Sequence, residues 1–206
     1  MKLLIMVRHG ESLTNANNFV SHDLGVNPLT DKGILQIKAI ALELKKISAD
    51  RLIASPLLRT KQTAEIISEI VGLKVLVDER LSERDLGKLN NMPAPSGEDW
   101  HKNDILTGYP SGFEPWESLR GRMSLFINDL PEASTTIIVS HGAPIKAAVA
   151  DMLELDEMSF LGVRIAKGSV TVIEPDSRRI LAMSAPAFSE YLIDSIRKLQ
   201  ESFVNN

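Results

Sequence analysis

The chain has 206 residues, 44% of them apolar and 24% charged, and a formal net charge of -4. This fits a single well-cored domain over 1–206 and argues against general nucleic-acid binding, which relies on broad basic surface. No apolar run approaches the roughly 18 residues of a membrane span, and the five apolar residues at 3–7 are too few for a signal-peptide core. With no cysteine, the chain has no disulfide, thiolate metal site or cysteine nucleophile, and a reducing cytoplasm is the expected compartment.

In chain order, Leu3-Leu4-Ile5-Met6-Val7 reads as a short buried strand that stops at Arg8-His9-Gly10. Apolar residues at 34, 37, 41 and 44 predict a helix from Asp31 to about Ile47, with Thr30 as its N-cap. Residues 51–55 form a second strand. Ser55-Pro56 then signals a helix start, with Ser as cap and Pro in the first helical position, running to a C-cap at Gly72. A third strand is expected at 74–77.

From Leu89 to Trp116 the pattern becomes rich in turn residues, with one short helix expected near 97–106. Helical spacing returns at 116–130, a strand follows at 136–140, and Pro144 opens a helix to about Leu153. Residues 169–173 and 179–183 read as a hairpin, and 187–203 as a final helix. Strands alternating with helices predict an α/β fold with a mostly parallel sheet. The expected arrangement is a three-layer α/β/α sandwich, with 89–116 as a loop and helix lid over the carboxyl ends of the strands.

Two histidine triplets, Arg8-His9-Gly10 and Ser140-His141-Gly142, each end a buried strand pattern. Ligands of open α/β sheets bind at such strand ends. Arg59 falls in the first turn of a helix whose N-terminal amides already favour an anion. Two arginines beside two histidines suit a phosphate, because guanidinium forks match its oxygens. Glu83 can reach the same edge as a proton donor, but spacing alone leaves Asp78, Glu79 and Asp85 open as well. As a zinc set, His9, His141 and Glu83 would have Arg8 repelling the cation. His22 and His101 read as structural.

These motifs together resemble the histidine phosphatase superfamily, which includes cofactor-dependent phosphoglycerate mutases and many small phosphatases. The resemblance rests on Arg8-His9-Gly10-Glu11-Ser12 with Asn15, on Pro28-Leu29-Thr30-Asp31-Lys32-Gly33, on Ser55-Pro56-Leu57-Leu58-Arg59-Thr60, on Leu81-Ser82-Glu83 with Gly87, and on Val139-Ser140-His141-Gly142. It implies that His9 is the nucleophile and Glu83 the acid and then the base. It also implies that Arg8, Arg59 and His141 hold the phosphoryl oxygens, assisted by Ser12, Asn15 and Gly142, without metal or cofactor.

One departure from the family pattern follows the acid: the chain reads Gly87-Lys88-Leu89-Asn90-Asn91 where many relatives carry Glu-Gly or Gln-Gly. The expected activity is a phosphomonoesterase on a small phosphorylated metabolite. A mutase and a non-catalytic phosphate-binding module are the alternatives. The lid favours hydrolysis, since 89–116 holds no arginine, one lysine (Lys102), and Glu98, Asp99, Asp104 and Glu114. Trp100, Tyr109, Phe113 and Trp116 are expected either to line the substrate side or to anchor the lid. The sequence leaves a homodimer open.

Overall fold

Along β1, Lys2–Arg8, successive side chains point to opposite faces, and each face meets its own core. A computed structural model describes residues 1–23, 25–94, 107–108 and 112–204. Leu3, Ile5 and Val7 pack with α2 (Asp31–Leu44), α3 (Leu58–Val71) and α7 (Glu190–Val204). Leu4 and Met6 pack with α4 (Trp116–Asn128) and α5 (Gly142–Met152). The sheet is therefore covered on both sides, which is why β1 is continuously apolar from Leu3 to Val7 rather than alternating.

The remaining strands are β2 (Arg51–Ala54), β3 (Val75–Val77), β4 (Ser134–Ser140), β5 (Val170–Glu174) and β6 (Arg179–Ala185). Their order is β3-β2-β4-β1-β5-β6. The first four are mutually parallel, whereas β5 runs antiparallel to β1 and forms the expected hairpin with β6. The three-layer, mostly parallel architecture is thus as read from the alternation of strands and helices.

Register positions the site. Arg8 pairs with Ser140 and Ala54 with Val139, so Arg8-His9, Ser55 and Ser140-His141 leave the sheet along one edge. The His9 N–H donates to Ser140 O at 3.1 Å, and the Ser55 N–H to Val139 O at 3.0 Å. Because β5 is antiparallel, its amino end arrives at the same edge. There the Arg8 N–H donates to Ser169 O and the Gly168 N–H donates to Arg8 O, each at 3.1 Å.

Three helix starts differ from expectation, those of α3 and α5 and that of α7, which opens at Glu190 instead of 187. α3 begins at Leu58 with Leu57 as N-cap, so Ser55 and Pro56 precede the helix instead of opening it. A tertiary partner explains the shift, since the Ser55 hydroxyl lies 2.8 Å from Nε2 of His141. α5 begins at Gly142, with His141 as N-cap and Pro144 inside the first turn, where a missing N–H is harmless. Thr30 does cap α2, accepting from the Gly33 N–H at 3.1 Å, and Gly72 closes α3 at φ 81°. Two four-residue helices, α1 (Leu13–Ala16) and α6 (Glu157–Phe160), were not anticipated. The helix expected near 97–106 lies outside the described residues.

Candidate active site

The loop after β1 can lie against α2 only because two glycines meet there. A Cβ on Gly33 would stand 2.1 Å from Glu11 O, and one on Gly10 would stand 2.5 Å from Gly33 O. That contact fixes His9 at the sheet edge. His9, Arg59 and His141 are all buried there, with exposures of 1%, 3% and 0%. The two imidazole centroids are 5.1 Å apart at an interplanar angle of 64°.

Hydrogen bonding sets the tautomer of each ring. His9 Nδ1 lies 2.7 Å from Gly10 O. A carbonyl can only accept, so the proton sits on Nδ1 and the lone pair is on Nε2. That lone pair faces Arg59, whose Nε–H donates to it at 3.2 Å. Arg59 Nη2 donates to His141 Nδ1 at 3.2 Å, leaving the His141 proton on Nε2, facing Ser55. The same Nη2 donates to Ser21 O at 3.1 Å.

Burial, then the charges of Arg59 and Arg8, holds His9 well below its ordinary value. For His141, burial and Arg59 come first, with the same direction. Both rings are therefore neutral at pH 7. Burial also lowers Arg8, and it takes Arg59 down to about 10 against the opposing effect of Glu83. Both guanidiniums remain charged at neutral pH. Nε of Arg8 and Nη1 of Arg59 are buried without a hydrogen-bond partner among the described residues. Buried donors of this kind cost about 1–3 kcal/mol each unless something accepts from them. An anion with several oxygens would satisfy them.

A cavity of about 660 Å³ opens over this edge, and Arg8, His9, Asn15, Arg59, Glu83 and Gly142 all line it. Among the acids that spacing left open, Glu83 is the one on the wall. Asp78 pairs with Arg80 at 2.7 Å, and Asp85 accepts from the Gly87 N–H at 2.8 Å. Glu83 is placed from behind: the Ser140 hydroxyl donates to Leu81 O at 2.8 Å, and Arg122 Nη2 donates to Glu83 O at 3.3 Å. Ser12 and His141 do not belong to the wall. Ser12 is fully buried at the start of α1, with its hydroxyl 2.9 Å from Thr14 Oγ1 and 3.2 Å from Asn15 Oδ1. Its backbone N–H and its hydroxyl both meet Asn15 Oδ1, at 3.3 and 3.2 Å, which places the Asn15 side chain at the wall.

The cavity also carries cations that sequence reasoning did not find: Lys32, Arg84, Lys146, Arg164 and Lys167. Lys32 is paired with Glu11 at 3.0 Å, and Arg84 with the buried Glu157. Lys146 and Lys167 are each lowered by burial and then by Arg8. The signal for Lys146 was its spacing of four from Gly142, on one helix face. The signal for 164–167 was the hairpin, once β5 is laid antiparallel on β1. Trp116 lines the cavity and Phe113 does not; both stack under the Arg84 guanidinium, at 6.0 and 5.6 Å. Trp100, Tyr109 and His101 lie outside the described residues.

Among known proteins, the model of the histidine phosphatase superfamily (branch 1) matches residues 4–184. The 2,3-bisphosphoglycerate-dependent phosphoglycerate mutase of Thermoplasma acidophilum is 34% identical over 205 residues, covering 96% of this chain and 98% of that protein. Among solved structures, mycobacterial hydrolase 1 superposes with a TM-score of 0.72 at 26% identity, over 84% of this chain and 88% of the other. A phosphoserine phosphatase from Entamoeba histolytica, in complex with 3-phosphoglyceric acid, superposes with a TM-score of 0.75 at 24% identity, over 93% and 100%. At that identity the last likeness speaks to the fold. On the family match and the 34% relative, the chain belongs to the histidine phosphatase superfamily, branch 1.

Proposed function

We propose that the chain is a metal-independent phosphomonoester phosphatase acting through a phosphohistidine at His9 on a small phosphorylated metabolite. The observation that carries this reading is the neutral Nε2 lone pair of His9, directed at Arg59 among buried guanidinium donors that lack partners. A phosphoryl group bound at Arg8 and Arg59 presents phosphorus to that lone pair.

Nε2 attacks in line, a P–N bond forms and the ester P–O bond breaks. Glu83, entering as the carboxylic acid, gives its proton to the departing alkoxide. As carboxylate it then takes a proton from water, whose oxygen attacks phosphorus while the P–N bond breaks. Inorganic phosphate leaves, and His9 and Glu83 return to their starting states. Arg8 and Arg59, with His141 behind them, balance charge on the equatorial oxygens, which is the work a divalent cation does in other phosphoryl-transfer sites.

A second reading, phosphoryl transfer between substrate hydroxyls as in a mutase, is favoured by the name of the 34% identical relative and by Lys146, Arg164 and Lys167 in the cavity wall. Hydrolysis is favoured by the lid, which has no arginine to grip a substrate carboxylate, and by the likeness to the mycobacterial hydrolase. Glu114 weakens the lid argument, because it pairs with Arg122 at 2.8 Å.

The deciding assay supplies 3-phosphoglycerate with 2,3-bisphosphoglycerate and follows both isomerisation and phosphate release. Phosphate release that exceeds isomerisation, and hydrolysis of an aryl phosphate that persists in chelator, is the expected result. Isomerisation outrunning release would replace the phosphatase by the mutase.

A further inference from the structure

The departure at Asn90-Asn91 has a partner elsewhere in the chain. Asn90 Nδ2 donates to Asp23 Oδ1 at 3.2 Å, and Asn91 Nδ2 donates to Asp23 Oδ2 at 2.6 Å. One carboxylate thus holds two adjacent amides 67 and 68 residues away. Asn90 Oδ1 in turn accepts from the His22 N–H at 2.6 Å.

Backbone bonds extend the contact into a short two-segment ladder. The Asn91 N–H donates to Val20 O at 2.8 Å, the Val20 N–H to Met92 O at 3.0 Å and the Ala94 N–H to Asn18 O at 2.7 Å. Asn91 adopts φ 62°, a left-handed conformation that asparagine tolerates better than most residues. The base of the lid is thereby fastened to residues 18–23.

That fastened segment reaches the phosphate end of the cavity. Phe19, Val20 and Ser21 line the wall, and Ser21 O accepts from Arg59 Nη2 at 3.1 Å. The Ser21 hydroxyl accepts from the Asp23 N–H at 3.2 Å and from Asn27 Nδ2 at 3.1 Å, which sets the turn that aims this carbonyl. The connection therefore runs from the lid base through Asp23 and Ser21 to a guanidinium that also touches both histidines.

We infer that Asp23 is a positioning residue: it clasps Asn90 and Asn91 and so holds the Ser21 carbonyl where it orients Arg59 for a phosphoryl group. The inference adds a residue to the phosphate site of the preceding section and rests on that reading only for what Arg59 grips. Arg59 has more than one rotamer available to a long side chain, and its two contacts with imidazole nitrogens are both at 3.2 Å. A fixed carbonyl on its far side restricts that freedom before the ligand arrives, which is preorganisation.

The test measures binding of inorganic phosphate to the whole chain by calorimetry, so it does not depend on turnover. Asp23→Ala is expected to weaken phosphate binding roughly three- to tenfold, the range of one or two lost hydrogen bonds acting through a neighbour. The reciprocal pair Asp23→Asn with Asn90→Asp moves the carboxylate across the clasp and keeps every donor facing an acceptor. It is expected to restore binding to within about twofold of the starting protein. Unchanged affinity in Asp23→Ala overturns the inference, as does a reciprocal pair that is folded yet no tighter than Asp23→Ala. If Asp23→Ala does not fold, the reciprocal pair against Asp23→Asn alone gives the same comparison. Loss of phosphatase activity with phosphate binding intact in the unsubstituted chain would count against the proposed function and not against the clasp.

Discussion

The Nε–H of Arg59 points at Nε2 of His9 across 3.2 Å, so the lone pair proposed to attack phosphorus is held against a cation. In the proposed reaction phosphorus displaces the Arg59 N–H from that lone pair, and the guanidinium beside it meets the phosphoryl oxygens. The remaining bonds of Arg59, to His141 Nδ1 and Ser21 O, both leave Nη2, so with Nε on His9 the guanidinium works from two separated nitrogens.

Arg59→Lys is expected to lower kcat/KM for an aryl phosphate roughly 10²–10³-fold although the charge is kept, because one ammonium cannot meet His9, His141 and Ser21 together. Steady-state kinetics on the two proteins checks this. Retention of activity within a few-fold would show that charge alone is required.

Glu83→Gln keeps the shape of the acid and removes its proton. The expected loss is about 10²–10⁴-fold for an alkyl phosphate, whose alkoxide needs protonation, and clearly less for an aryl phosphate with a good leaving group. A series of leaving groups of graded basicity reads the difference. Equal losses across the series would assign Glu83 to water activation only.

Stability should fall in acid through the two buried imidazoles. In the folded chain both sit well below 6.5, whereas unfolded histidines titrate near that value. Above it neither state takes up a proton. As pH falls through 6.5, the unfolded state binds protons that the folded state does not, so stability is progressively lost. Urea midpoints measured from about pH 7.5 to about pH 5 are expected to drop, and a His141→Gln variant to drop less steeply. Parallel slopes would contradict the assignment of His141 as neutral and buried.

Arg8-His9 and Ser140-His141 were legible because each follows an apolar run, and strand ends are where an α/β sheet offers side chains to a ligand. Arg59 was legible from its place in the first turn of a helix. Ser55-Pro56 was not, because a local capping preference lost to a tertiary hydrogen bond from a residue 86 positions away. Glu83 could not be separated from its acidic neighbours by spacing, since the choice depends on Asp78 and Asp85 having partners of their own. Lys146, Arg164 and Lys167 join the site through the antiparallel placement of β5 and the inward face of α5, neither of which composition reveals. Asn90-Asn91 was visible only as a departure, and it acquired meaning once Asp23 was seen opposite.

The central claim is that His9 carries the phosphoryl group during turnover. Quenching a single turnover of an aryl phosphate into alkaline denaturant preserves phosphohistidine, and peptide mass spectrometry then locates the modification. A phosphoryl group on the peptide containing His9, labile to acid and missing in His9→Ala together with all activity, is the predicted result. A phosphoryl group on another residue, or undiminished hydrolysis by His9→Ala, would contradict the account.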